Sequence, residues 1–149
     1  MLPLNLPDCH LKIVQKNGKP FVFDKLRKRY VSLTPEEWVR QHFVHFLIDY
    51  KQYPAALLGN EISIKLNNTS KRCDTVLYDQ HGSPKMIIEY KAPDIIITQK
   101  VFDQISRYNM VLHVDYLIVS NGREHYCCKM DYLNLRYQFL QGIPAYSTL

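Results

Sequence analysis

The sequence lacks the features of membrane, fibrous and disordered proteins. It has no apolar run near the ~18 residues that a membrane helix needs, and its 5 Gly and 8 Pro are too few for a collagen repeat or a low-complexity segment. The first eight residues include two prolines and an acid, whereas a signal peptide needs an unbroken apolar stretch. These absences predict a cytoplasmic protein without a membrane partner.

Cysteine and histidine patterns for metals or disulfides are absent as well. Cys127 and Cys128 are adjacent, and no other cysteine stands at a zinc-site spacing from either. His42 and His45 have no third ligand nearby in sequence, so we interpret them as part of an aromatic-rich helix surface rather than a zinc site. There is no Gly-x-x-x-x-Gly-Lys loop, which predicts that the protein binds no nucleotide cofactor.

What the sequence does contain is an ordinary globular composition with unevenly placed charge. Of its residues, 46% are hydrophobic and 22% are charged, which predicts one domain with a real core. Residues 1–30 hold seven Lys and Arg against two Asp, so they account for the whole net charge of +5. A basic end can attract a polyanion such as nucleic acid. The alternative is a solvated edge with no partner.

The first third of the chain predicts a small hairpin followed by a long helix. Turn residues at 16–19 and the apolar trio at 21–23 indicate a hairpin whose second arm runs over 27–31 and packs on the main domain. Thr34 is a predicted N-cap, with Pro35 in the first turn and Glu37 closing a capping box. This helix runs to about Tyr50, with a core stripe of Val39, Phe43, Phe46, Leu47 and Tyr50.

The rest of the chain predicts three strands, a second helix and two further strands. The strands are expected at 61–66, 72–78 and 85–91, the helix at 98–113, and the last strands at 115–120 and 123–130. The second helix has an apolar stripe of Val101, Ile105, Tyr108 and Leu112. We predict an α/β sandwich with a mixed sheet between helices, in the order α-β-β-β-α-β-β. A single domain then comprises a basic extension at 1–33, a core at 34–130 and a C-terminal extension at 131–149.

Charged residues interrupt two neighbouring strands of this prediction. Glu89 and Lys91 are two apart, so they share one face of their strand. If the preceding strand is its antiparallel neighbour, Asp74 approaches Glu89, and two close carboxylates repel unless a cation lies between them. Mg²⁺ suits carboxylate oxygens, water and a phosphate. The alternative is that these are solvated charges on a half-exposed strand.

These residues carry a resemblance to a known family. Asp74 followed by Glu89-Tyr90-Lys91 resembles the signature of the PD-(D/E)XK nuclease superfamily, although Cys73 stands where the signature has proline. Five blocks in order are similar to the nuclease domain at the N-terminus of type I restriction enzyme motor (R) subunits and to its stand-alone relatives. The blocks are TPEEWVRQ at 34–41, RCD at 72–74, IEYKAP at 88–93, QISRY at 104–108 and SNG at 120–122.

The resemblance implies a restriction-endonuclease-like fold and a role for each matching residue. Asp74 and Glu89 would hold Mg²⁺, for which Mn²⁺ can substitute, with the Tyr90 backbone carbonyl as a further ligand. Lys91 would act beside the scissile phosphate. The family has a glutamate in the first helix, and we choose Glu36 over Glu37 because Glu36 falls on the sheet-facing side. Gln104 would approach the site, and Tyr108 is either its helical neighbour there or part of the core.

The predicted function is metal-dependent hydrolysis of phosphodiester bonds in DNA. The predicted nucleic-acid contacts are basic and aromatic residues near the site and in the N-terminal extension: Arg72, Lys65, Lys71, Tyr108, Arg27, Lys28 and Arg29. The rival interpretation is a non-catalytic nucleic-acid-binding or assembly module with the same fold. A homodimer, or a partner protein that contacts exposed aromatic residues, remains open.

Overall fold

The computed structural model describes residues 2–149 and confirms the predicted α/β class with a mixed central sheet. Six strands form the large sheet in the order β4-β5-β6-β7-β8-β9, and three N-terminal strands form a small antiparallel sheet. The bounds of the elements are β1 Ile13–Lys16, β2 Lys19–Asp24, β3 Arg29–Ser32, α1 Pro35–Lys51, β4 Leu58–Leu66, β5 Thr69–Tyr78, β6 Pro84–Tyr90, α2 Gln99–Met110, β7 Tyr116–Ser120, β8 His125–Asp131 and β9 Arg136–Phe139.

Helix α1 begins at the predicted cap. The Thr34 hydroxyl accepts a hydrogen bond from the Glu37 N–H at 3.1 Å, and Pro35 lies in the first turn. The Glu37 side chain, however, does not close a capping box: Arg27 and Gln41 both donate to its carboxylate. The expected core stripe of α1 was wrong at one position, since Tyr50 is 61% exposed at the end of the helix.

The large sheet has one parallel pair, and that pair flanks α2. Strands β4, β5 and β6 form the predicted antiparallel meander. The chain then crosses over through α2, and β7 pairs with β6 in parallel register. Antiparallel β8 and β9 complete the sheet. Strand β9 lies in the segment expected to be a C-terminal extension, so that segment contributes an edge strand to the sheet.

Two apolar clusters cover the two faces of the sheet. On the α1 face, Phe43 packs with Ile88, Tyr90 and Ile118. On the α2 face, Phe102 packs with Ile87, Leu117 and other apolar side chains of the sheet. None of the described helices is long and apolar enough to cross a membrane.

The face that helix α2 turns to the sheet overlaps only in part with the one expected. The structure buries Phe102, Ser106 and Asn109 of the helix, and Leu112 just beyond its end, whereas Val101 and Ile105 are half-buried and Tyr108 is exposed. Two polar side chains can be buried here because each bonds a carbonyl of its own helix: the Ser106 hydroxyl donates to Asp103 O, and the Asn109 amide donates to Ile105 O. The predicted stripe of α2 is therefore confirmed at Leu112 and in part at Ile105, and is wrong at Tyr108, because sequence hydropathy does not register that polar side chains can bond their own helix.

The small N-terminal sheet is tied to the core through polar contacts. The Asn60 amide donates to the buried Asp24 carboxylate at 2.9 Å, and Arg27 pairs with Asp24 and, at 2.7 Å, with Glu37 of α1. The sheet has three strands where the sequence predicted a hairpin of two, because residues 13–16 also form a strand, β1, which pairs with β2; the arm expected at 27–31 is a turn followed by β3.

Candidate metal and phosphate site

The site lies where β5 and β6 separate. The last paired residues of the two strands at this end are Thr75 and Ile88. One residue further, the Asp74 carboxylate accepts a hydrogen bond from the Tyr90 N–H at 2.8 Å. A side chain thus replaces the next backbone bond of the ladder, and it holds the Asp74 carboxyl group within hydrogen-bonding distance of that of Glu89.

The Glu89 carboxyl group has an unusual electrostatic environment. Burial and the neighbouring Asp74 carboxylate raise the pKa of Glu89 to about 7, against the opposing effect of Lys71. The Lys71 ammonium donates to Glu89 Oε1 at 2.8 Å. The acid pair is therefore stabilised by a cation or by a proton, as expected for two carboxyl groups in contact.

An open cleft of about 690 Å³ lies between this acid pair and α2. Its charged and polar lining includes Lys71, Glu89, Lys91, Gln104 and Tyr108. The predicted neighbours Gln104 and Tyr108 lie on one side of α2 and face the cleft, whereas Phe102, Ser106 and Asn109 of the same helix are buried. The structure thus brings these five sequence-predicted residues to one surface.

Helix α1 brings a third acid near the cleft. Glu36, in the first turn, has a raised pKa because of partial burial and the charge of Asp74, while Lys91 and Arg40 act in the opposite direction. Glu36 is therefore within electrostatic range of Asp74 and Lys91. Glu37 lies on a different side of α1, where it binds Arg27, Arg40 and Gln41.

Arg40, a buried residue of α1, holds the backbone of the site at Asp74. This buried guanidinium donates to the Asp74 carbonyl at 2.8 Å and to Glu61 Oε1 at 2.6 Å, and it pairs with Glu37 at 3.1 Å. Arg72 donates to the other oxygen of Glu61 at 2.5 Å, rather than balancing Asp74. A chain of alternating charges thus fixes the backbone of β5 at the position where Asp74 leaves the ladder.

The donor set at this site fits a magnesium ion. Mg²⁺ in proteins is held by one or two carboxylates and keeps several waters, which a substrate phosphate can replace. Asp74 and Glu89 supply two such carboxylates at the edge of an open cleft. Within residues 2–149 there is no cluster of three or more His, Cys, Asp or Glu side chains that could hold a metal. A metal here would therefore take its remaining ligands from a backbone carbonyl, water or phosphate.

The predicted nucleic-acid contacts fall into two groups. Lys28, Arg29 and Lys65 have exposed side chains, whereas Arg27 is engaged by Asp24 and Glu37 and is mostly buried. Their contact with DNA stays a prediction.

Sequence reasoning missed the structural roles of Lys71 and Arg40. Lys71 was expected to contact nucleic acid, yet it is only 8% exposed and lies against the acid pair. Arg40 was quoted only as part of a family block. Lys71 and Cys73 are two apart in a strand and so share a face, which is the signal that could have indicated the burial of Lys71, but the partners of both cations come from elements distant in sequence.

Comparisons with known proteins show the family and the fold of this chain. The family profile described as the type I restriction enzyme R protein N terminus matches residues 35–144. A fragment of an HsdR subunit of a type I restriction enzyme from Vibrio vulnificus YJ016 has a TM-score of 0.52 and 18% identity over 76% of this chain. The DrdV–DNA complex has a TM-score of 0.44 and 19% identity over 71% of this chain. No curated protein sequence matches.

These matches concern one part of much longer proteins. The present chain spans 24% of the HsdR fragment and 10% of DrdV. At this level of identity the HsdR structure shows a shared fold, whereas the profile covers well over half of the sequence and shows the family. The chain belongs to the family of N-terminal domains of type I restriction enzyme R proteins, which are nuclease-like and restriction-related.

Proposed function

We propose that this domain is a Mg²⁺-dependent nuclease that hydrolyses phosphodiester bonds in DNA. The observation that supports it most is the contact between the Asp74 and Glu89 carboxyl groups at an open cleft that Lys91 also lines. Bringing two acids together costs free energy unless they serve a cation. A protein that needed only stability would gain more from apolar side chains at these positions.

Each residue has a distinct part in the proposed reaction. Asp74 and Glu89 hold the metal, with the Tyr90 carbonyl as a further ligand, and Mn²⁺ can substitute for Mg²⁺. The bound ion makes a water more acidic and offsets the charge on the phosphate. Lys91 places its ammonium where negative charge develops on the phosphate oxygens. Gln104 lines the cleft, and Glu36 interacts electrostatically with Asp74 and Lys91; in this proposal both orient water and substrate by hydrogen bonding.

The test is cleavage of supercoiled, linear and single-stranded DNA by the purified protein, with Mg²⁺, with Mn²⁺ and with a chelator. We expect nicking or cutting that needs the metal. Lys91→Ala should abolish cutting while DNA binding stays within a few fold, because one ammonium contributes little to total phosphate attraction. Lys129→Ala is the matched control, since Lys129 is an exposed lysine on β8. Undiminished cutting by Lys91→Ala would rule out this role of Lys91.

A second candidate function is non-catalytic nucleic-acid binding. The ion pair between Lys71 and Glu89 favours it, because this pair offsets part of the charge of the acid pair without a metal. The two candidates differ in their response to divalent ions. A thermal shift with Mn²⁺ that vanishes in Asp74→Ala supports the nuclease, whereas a protein that binds DNA in a strongly salt-dependent way but ignores divalent ions is a binding module.

A further inference from the structure

Lys71 is a buried cation in contact with the acid pair. Its ammonium lies 2.8 Å from Glu89 Oε1 and 4.4 Å from the centre of the Tyr108 ring. Lysine is almost never this buried unless it is paired. Here one side of the ammonium meets a carboxylate and another side meets the electron-rich face of an aromatic ring, which also attracts cations.

The Lys71 ammonium therefore occupies a position next to Glu89 that a metal ion bound by this carboxylate would also need. A divalent ion shared by Asp74 and Glu89 would take up the Glu89 oxygens, one of which already accepts a hydrogen bond from Lys71. The ion would also lie close to the Lys71 ammonium, because both would be bound to the same carboxylate. Two positive charges this close repel strongly where little solvent screens them. Metal and Lys71 therefore cannot both have their full interaction with Glu89.

We propose that Lys71 is a positioning residue that holds Glu89 in the metal-free protein and competes with the divalent ion for this carboxylate. The inference rests on the proposed metal site. Lys71 keeps Glu89 directed into the cleft when no metal is bound, and it lowers the affinity for the metal. The Tyr108 ring is 60% exposed and can move as the ammonium leaves Glu89.

The competition also explains how substrate and metal would cooperate at this site. Once displaced from Glu89, the Lys71 ammonium stays in a cleft lined by Lys91 and Gln104. A phosphate in that cleft would become its new partner, so a nucleic acid strengthens metal binding and the metal strengthens phosphate binding. By linkage the two effects are equal in size.

Calorimetric titration of the full chain with Mn²⁺ at pH 8, without DNA, tests this inference. Lys71→Met keeps the length of the side chain and removes the charge, and we expect it to bind Mn²⁺ about tenfold more tightly or better. Tyr108→Leu removes the ring behind the ammonium and should tighten binding by about two- to threefold, in line with a partly exposed cation–π contact. Lys129→Met is the matched control because Lys129 lies 5.8 Å from the Tyr116 ring centre, and it should leave the affinity unchanged.

The possible outcomes separate this inference from the proposed function. Equal or weaker Mn²⁺ binding by folded Lys71→Met overturns the competition, because removal of a competing ammonium must tighten metal binding. Damage to the fold cannot imitate the expected result, since it would not tighten metal binding. If Lys71→Met fails to fold, Tyr108→Leu decides by the same criterion. Mn²⁺ binding that persists in Asp74→Ala overturns the proposed metal site, and an absence of binding in every variant overturns both.

Discussion

The two faces of the large sheet differ in how completely their side chains are buried and paired. On the α1 face, apolar side chains are fully covered, and the Tyr90 hydroxyl donates to Thr75 at 2.9 Å within a buried network. On the α2 face, the same strands present Lys71 and Glu89 to an open cleft. Strand alternation thus lets β5 and β6 support a stable core on one side while they keep reactive groups accessible on the other.

The network on the α1 face links the N-terminal sheet to the site. Thr75 donates to Asn60 at 2.7 Å, and Asn60 donates to Asp24 at 2.9 Å. Every step is buried and paired, so this side of the sheet has little freedom to rearrange. The comparison predicts that substitutions on the α1 side change stability, whereas substitutions on the α2 side change metal binding.

The largest expected effect is on the α1 side. Arg40→Ala should lower the free energy of unfolding by about 3 kcal/mol, because it removes the cation shared by the buried Glu37 and the half-buried Glu61 and takes a donor from the Asp74 carbonyl. Arg72→Ala is the control: Arg72 binds the same Glu61, but its side chain is 68% exposed, so the loss should be at most about 1 kcal/mol. Urea denaturation measures both. Similar losses would contradict a special role for the buried guanidinium.

Asp74→Asn should have the opposite effect to Arg40→Ala: a large loss of metal affinity with little loss of stability. The shape of the side chain is kept, and Arg40 bonds the backbone carbonyl of residue 74 rather than its carboxylate. We expect Mn²⁺ affinity to fall at least about 100-fold, while the free energy of unfolding changes by less than about 1 kcal/mol. Calorimetry and denaturation of the same preparation measure the two quantities. A large loss of stability with little loss of affinity would reverse the assignment of the two faces.

The pH dependence of metal binding sharpens the comparison further. Burial and Asp74 raise the pKa of Glu89 to about 7, so a proton occupies this carboxyl group below that pH and must leave before a metal binds. Mn²⁺ affinity should therefore fall by about tenfold between pH 8 and pH 6, on the protonation of this one group. Titrations at three pH values check this. A flat profile would show that Glu89 is not a ligand.

The smallest expected effect comes from the hydroxyl group of Tyr90. Tyr90→Phe removes one buried hydrogen bond to Thr75 and should cost about 1 kcal/mol of stability. Metal affinity should not change, because the hydroxyl group lies on the face opposite the cleft. Tyr50→Phe is the control on an exposed ring. A marked change in metal affinity in Tyr90→Phe would mean that the two faces are coupled.

Local rules made several parts of this structure predictable from sequence. The Thr34 cap needs only residues three positions apart, and it forms as expected. The approach of Asp74 to Glu89 follows from a short turn and from the two-residue period of strands. Both depend on interactions within a single element or between successive ones, which is why spacing alone indicates them.

The parts that sequence did not predict depend on distant partners. The burial of Lys71 needs Glu89 on another strand and Tyr108 on α2. The role of Glu37 depends on Arg27, which belongs to the N-terminal sheet. Helix α2 could turn Ser106 and Asn109 inward because each donates a hydrogen bond to a carbonyl of its own helix. Charge and hydropathy patterns record none of these pairings.

The contacts of Asp24 and Arg27 bear on how relatives of this domain should be delimited. The similarity to the family begins at residue 35, yet the buried Asn60 and Glu37 find their partners at positions 24 and 27. A chain that begins at residue 35 would expose Asn60 and Glu37 and would lose their hydrogen bonds to Asp24 and Arg27. The region that resembles the family begins at residue 35, whereas the unit that folds stably includes residues 24 and 27. A stable fragment must therefore begin before residue 24.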